Sequence, residues 1–105
     1  MISYEEFQKL ELRIAKVLEA ERIEGSEKLL RLKIDLGEET RQLIAGIGRV
    51  YKPEDLIGRE IVIVANLEPK TFMGFESQGM LLAVDAEGPV LLCPDKEVPP
   101  GSKIR

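Results

Sequence analysis

Apolar and polar residues alternate along much of this chain, and the places where the alternation starts, stops or changes period outline its elements. Leu30, Leu32, Ile34 and Leu36 are separated by Arg31, Lys33 and Asp35, which predicts a strand with one face buried and the other charged. Gly37-Glu38-Glu39 turns that strand into a second one over Thr40 to Ala45, making a hairpin. Upstream, a longer strand starts at Leu10, with Leu12, Ile14 and Leu18 on one side and Arg13, Ala15 and Val17 on the other. Apolar residues on both faces near its end predict a bend around a barrel or a bulge, and Glu24-Gly25-Ser26 breaks the strand. Two apolar strands are expected at roughly residues 60–66 and 78–84. A last one, Val90 to Cys93, precedes Pro94 and the Pro99-Pro100-Gly101 tail.

Helical signals are brief. Ser3 with Glu6 has capping-box form and predicts a helix over roughly residues 4–9, with Phe7 and Leu10 on one face. Pro53 followed by Glu54-Asp55-Leu56 predicts another short helix, ended at Gly58. The expected fold is all-β: a five-stranded Greek-key barrel of the oligonucleotide-binding (OB) type, with short helices at the N-terminus and between strands. A chain of 105 residues is enough for one domain, taken as residues 1–105.

Composition narrows the chemistry. Histidine is absent, which removes His-dependent triads, HExxH zinc sites and an imidazole base. Cys93 is the only cysteine, so neither an internal disulfide nor a thiolate zinc cage can form, and its apolar neighbours place the thiol in or near the core. No carboxylate cluster has metal-site spacing, and no metal or cofactor is expected. No stretch approaches the ~20 apolar residues of a membrane span. Met1 to Glu6 lacks the basic flank and apolar run of a signal peptide, so a cytoplasmic, non-membrane protein is expected. The 32% charged content, rich in Glu, Lys and Arg, resembles hyperthermophile surfaces. A net charge of −4 argues against nucleic acid only weakly, because binding depends on where cations cluster.

The most informative segment is Asn66-Leu67-Glu68-Pro69-Lys70, followed by Ser77-Gln78-Gly79-Met80. Each lies at the mouth of an apolar strand, where polar and cationic side chains gather on a rigid scaffold; that suits binding rather than catalysis. Asn66 and Lys70 can together hold a ribose hydroxyl and a phosphate, or Asn66 can bond its own turn before Pro69. Ser77 can donate to a phosphate, and Met80 can meet a base or pack in the core. Arg31 and Lys33 share a strand face, and with Arg41 they make either a cationic patch for phosphates or one side of ion pairs with Asp35 and Glu39. Phe72 and Phe75 flank Gly74, available to stack on bases, cap the barrel or contact a second copy. Gly46-Ile47-Gly48 is too short for a phosphate loop and fits a barrel corner.

Five stretches, in order, resemble the tRNA-binding domain shared by stand-alone tRNA-binding proteins, the C-terminal part of methionyl-tRNA synthetases and synthetase-associated cofactors. They are Leu12 to Val17, Lys28 to Glu38, Arg41 to Ile47, Asn66 to Lys70 and Gly74 to Met80. The resemblance implies an OB barrel, a homodimer, and non-catalytic recognition of tRNA by elbow shape rather than anticodon. It implies Lys28, Lys33, Arg41, Asn66, Lys70, Ser77 and Met80 as tRNA contacts, with the catalytic part of a methionyl-tRNA synthetase as a further partner. An export-type chaperone or protein-interaction module on the same barrel is the alternative. Ile23-Glu24 stands where many relatives carry His-Pro, and Glu68 where they often carry Lys, which thins the positive charge.

Overall fold

The computed structural model describes residues 1–105. In chain order its elements are α1 (Tyr4–Phe7), β1 (Leu12–Arg22), β2 (Leu30–Asp35), β3 (Thr40–Ala45), α2 (Pro53–Leu56), β4 (Glu60–Val64), β5 (Lys70–Phe72), β6 (Phe75–Ser77), β7 (Met80–Leu81), β8 (Ala83–Asp85), β9 (Pro89–Leu91) and β10 (Lys103–Ile104). The main sheet runs β3-β2-β1-β4-β7, entirely antiparallel, and curls into an OB-like barrel.

The long first strand changes partners along its length. Leu12 to Lys16 pair with β4, whereas Lys16 to Arg22 pair with β2, and the β2 register shifts between Val17 and Glu19. That irregularity is the bend anticipated from apolar residues on both faces. It also reverses the parity: Ala15 and Val17 face the core before it, Ala20 packs there after it, and Leu18 is left 37% exposed. The core is aliphatic, with Leu30, Leu32, Ile34, Leu43, Ile61 and Ile63 sealed inside and Leu56 of α2 closing one opening.

The barrel closes between β3 and the chain just before β7, and side chains make the seam. Gln78 N–H donates to Gln42 O at 2.8 Å, and Gln42 N–H donates to Gln78 Oε1 at 3.0 Å. One position on, Ile44 N–H donates to Ser77 Oγ at 3.0 Å, and the Ser77 hydroxyl donates to Gly79 O at 2.9 Å. Ser77 is only 3% exposed.

Several boundaries differ from expectation. Ser3 Oγ does accept from Glu6 N–H at 3.1 Å, but α1 ends at Phe7 and none of its residues is buried. The strand expected over residues 78–84 is interrupted at Leu82, whose N–H still reaches Val62 O at 2.9 Å. Beyond it β8 leaves β4 and pairs with β9 instead. Residues 70–77, between the two expected apolar strands, form the β5–β6 hairpin, turning on Met73 (φ 48°) and Gly74 (φ 85°). The Pro-rich tail returns to β1 as β10. Gly101 lets it pass, since a Cβ there would lie 2.0 Å from Leu36 O. Cys93 is exposed rather than in or near the core, because β9 ends at Leu91 and the chain leaves the barrel.

Candidate nucleic-acid interface

The outer face of β1, β2 and β3 carries its side chains in cross-strand rungs. Glu21 stands opposite Arg31, which stands opposite Ile44; Glu19 stands opposite Lys33, which stands opposite Gln42. Above this face lies an open groove of about 450 Å³ lined by Glu19, Glu21, Arg31, Lys33, Gln42 and Gln78 among others. The β5–β6 hairpin packs beside it. Gln42 Nε2 donates to Glu76 O at 2.9 Å, and the Phe75 ring lies 5.1 Å from the Arg31 guanidinium carbon. Arg31 is thus held between an aromatic face and the Glu21 carboxylate, with which it forms an ion pair.

Arg41 lines the edge of this groove, but its charge is engaged elsewhere. The register places it opposite Ile34, on the core-facing side of the hairpin, while Arg31 and Lys33 face out. Its guanidinium caps one end of the barrel: Nη1 donates to Ala65 O at 2.5 Å and Gln78 O at 3.3 Å, and Nε donates to Glu39 Oε1 at 2.5 Å. Arg13 does the same nearby, donating to Glu11 Oε1 at 2.6 Å and Gly101 O at 2.9 Å. Of the ion pairs weighed for the cationic face, Arg41 with Glu39 is present, and the partner of Arg31 is Glu21, not Asp35. Asp35 Oδ1 instead accepts from Gly37 N–H at 2.7 Å.

The remaining expected contacts separate into engaged and free groups. Asn66 Oδ1 accepts from Glu11 N–H at 2.8 Å and Nδ2 donates to Lys9 O at 2.7 Å, so its amide ties the N-terminal segment to the end of β4 rather than bonding its own turn. The Ser77 hydroxyl is in the barrel seam. Met80 is 49% exposed, not a core residue, and lies on β7 opposite Val64. The three expected lysines, like every other lysine of the chain, have no carboxylate partner: Lys33 in the groove, Lys70 at the root of the hairpin and Lys28 at the far end of the β2–β3 ladder. Lys28 lays its stem over Gly46, where an added Cβ would meet its Cε at 2.7 Å. Lys70 Nζ sits 5.1 Å from the Phe72 ring centre.

Glu19, Glu21 and Gln42 were not among the residues singled out from the sequence, and Gln78 stood within its segment without a role. The two acids face the groove only because the β1 irregularity reverses parity, and nothing in an alternation pattern marks that position. Chemically, the site offers donors, cations and a partly open aromatic face, with no nucleophile–base pair and no cluster of His, Cys, Asp or Glu able to hold a metal.

The putative tRNA-binding domain family matches residues 12–103. The methionine–tRNA ligase of Methanothrix thermoacetophila is 59% identical over 106 residues, taking in 100% of this chain and 16% of the ligase. That of Thermotoga maritima is 56% identical over 104 residues, or 98% of this chain and again 16% of the ligase. Among solved structures, a MetRS-related protein from Pyrococcus horikoshii superposes with a TM-score of 0.94 at 37% identity, covering 100% of this chain and 98% of that one. The chaperone CsaA of Bacillus anthracis superposes with a TM-score of 0.92 at 43% identity, covering 100% and 99%. The chain therefore spans about 16% of the ligases it matches and nearly the whole of the small proteins. With the match running from the first strand to the last, this chain belongs to the putative tRNA-binding domain family.

Proposed function

We propose that this chain is a non-catalytic, structure-specific tRNA-binding domain that receives the tRNA elbow on the β2–β3 face. It works in the cytoplasm as the dimerising C-terminal domain, or the β subunit, of a methionyl-tRNA synthetase. One observation carries the reading: Lys33 lines the open groove with no acid ion-paired to it, while Lys28 precedes the same β2–β3 ladder and Lys70 opens the hairpin packed beside it, both likewise unpaired. Free ammonium groups on a mobile stem suit phosphates whose positions follow RNA shape, because A-form grooves hide most base edges. Arg41, Asn66 and Ser77 contribute by holding the barrel end, the N-terminal segment and the seam that shape this face. Appended to a synthetase, such a domain raises the local tRNA concentration and adds no chemistry.

The 43% identity to a chaperone over nearly its full length favours a second reading, in which the same face holds polypeptide. Filter binding of labelled tRNA in competition with duplex RNA, single-stranded RNA and an unfolded polypeptide separates the two. The tRNA reading expects tRNA to compete best and polypeptide not at all. Displacement of tRNA by polypeptide at comparable concentration transfers the face to the chaperone reading.

A further inference from the structure

The groove contains its own competitors for phosphate. Glu19 and Glu21 are the direct cross-strand neighbours of Lys33 and Arg31, and all four side chains line the same open groove. Glu21 is ion-paired to Arg31, whose other side is fixed by the Phe75 ring at 5.1 Å. Arg31 is therefore held toward Glu21, and a phosphate arriving at this guanidinium competes with the Glu21 carboxylate for its charge. The pair is solvated, with side chains 40% and 57% exposed, so the exchange requires no buried charge to be uncovered.

We propose that Glu21, assisted by Glu19, is a selectivity residue: it withholds Arg31 from any passing polyanion, so that charge alone does not secure binding. A generic duplex brings phosphates in a regular line and has only charge to offer. A folded RNA that fits the groove also contacts Lys28, Lys33, Lys70 and the β5–β6 hairpin, and so seats without needing Arg31. The acids thus cost most to a ligand that depends on charge at Arg31 and least to one held by shape. This inference rests on the tRNA reading above.

The test compares wild type with Glu21→Gln, Glu21→Ala and Glu19→Gln in titrations of total tRNA and a generic RNA duplex at several salt concentrations. Freeing one cation should tighten duplex binding about two- to fivefold, the range of a solvated ion pair, and steepen the logarithmic salt slope by about 0.7–0.9. Binding of tRNA should tighten less, so the ratio of tRNA to duplex affinity falls. In an Arg31→Gln background, Glu21→Gln should lose most of this effect, because its target is gone. Unchanged or weaker duplex binding by both Glu21 variants, with wild-type thermal midpoints, overturns the selectivity role while leaving tRNA binding standing. A gain that persists in full without Arg31 also overturns it, assigning the effect to net charge. Failure of wild type and every variant to bind tRNA at low salt overturns the underlying reading instead, and this inference with it.

Discussion

At the scale of single residues, the side chains first marked as RNA contacts divide by what already holds them. Ser77 and Lys33 make the contrast testable. Ser77→Ala leaves the Ile44 N–H without its acceptor in a buried seam and should lower stability by about 1–3 kcal/mol in urea unfolding. The tRNA affinity of its folded fraction should stay near wild type. Lys33→Ala removes an exposed side chain with no ion pair, so stability should move by no more than about 0.5 kcal/mol while tRNA binding weakens. The reverse pattern would make Ser77 a contact and Lys33 a bystander. Residue types signalled these positions well, since Asn, Ser and Arg at strand mouths are conspicuous. They did not signal the partners. Asn66 reaches Lys9 and Glu11 across more than fifty positions of sequence, and only the fold brings those groups together.

At the scale of elements, legibility followed periodicity. The β2–β3 hairpin was readable because Leu30, Leu32 and Ile34 alternate with charges and a glycine turn follows. The Arg41 placement was not, because its side depends on the register across that turn, which pairs it with Ile34. The β5–β6 hairpin escaped because its turn uses Met73 at positive φ, a position usually marked by Gly or Asn. The N-terminal helix was legible from its capping box, and the apolar residues in and just after it are incompletely covered within the chain: Tyr4 is 74% exposed, Phe7 36% and Leu10 42%. Val84 and Val90 of the β8–β9 hairpin are each 48% exposed. These surfaces support the proposed dimer. Tyr4→Lys combined with Phe7→Lys should convert a dimer to an 11.8 kDa monomer in light scattering with the barrel's circular dichroism intact. A wild-type mass of 11.8 kDa at tens of micromolar would remove the dimer from the account.

At the scale of the whole molecule, an acidic barrel with net charge −4 is proposed to hold a polyanion, and only local arrangement reconciles the two. Arg13, Arg31 and Arg41 are each paired with a glutamate, whereas the other cations, all eight lysines among them, form no ion pair. The proposed RNA face uses three of these, Lys28, Lys33 and Lys70, and so few contacts imply modest affinity with a shallow salt dependence. The direct measurement is the slope of log affinity for tRNA against log salt, for wild type and for Lys28→Ala, Lys33→Ala and Lys70→Ala combined. With about 0.7–0.9 counterions released per contact, wild type should show a slope of about −2 to −3 per chain, and the triple variant a slope near zero with binding largely lost. A steep slope that survives the triple substitution would place the RNA on another surface and contradict the account.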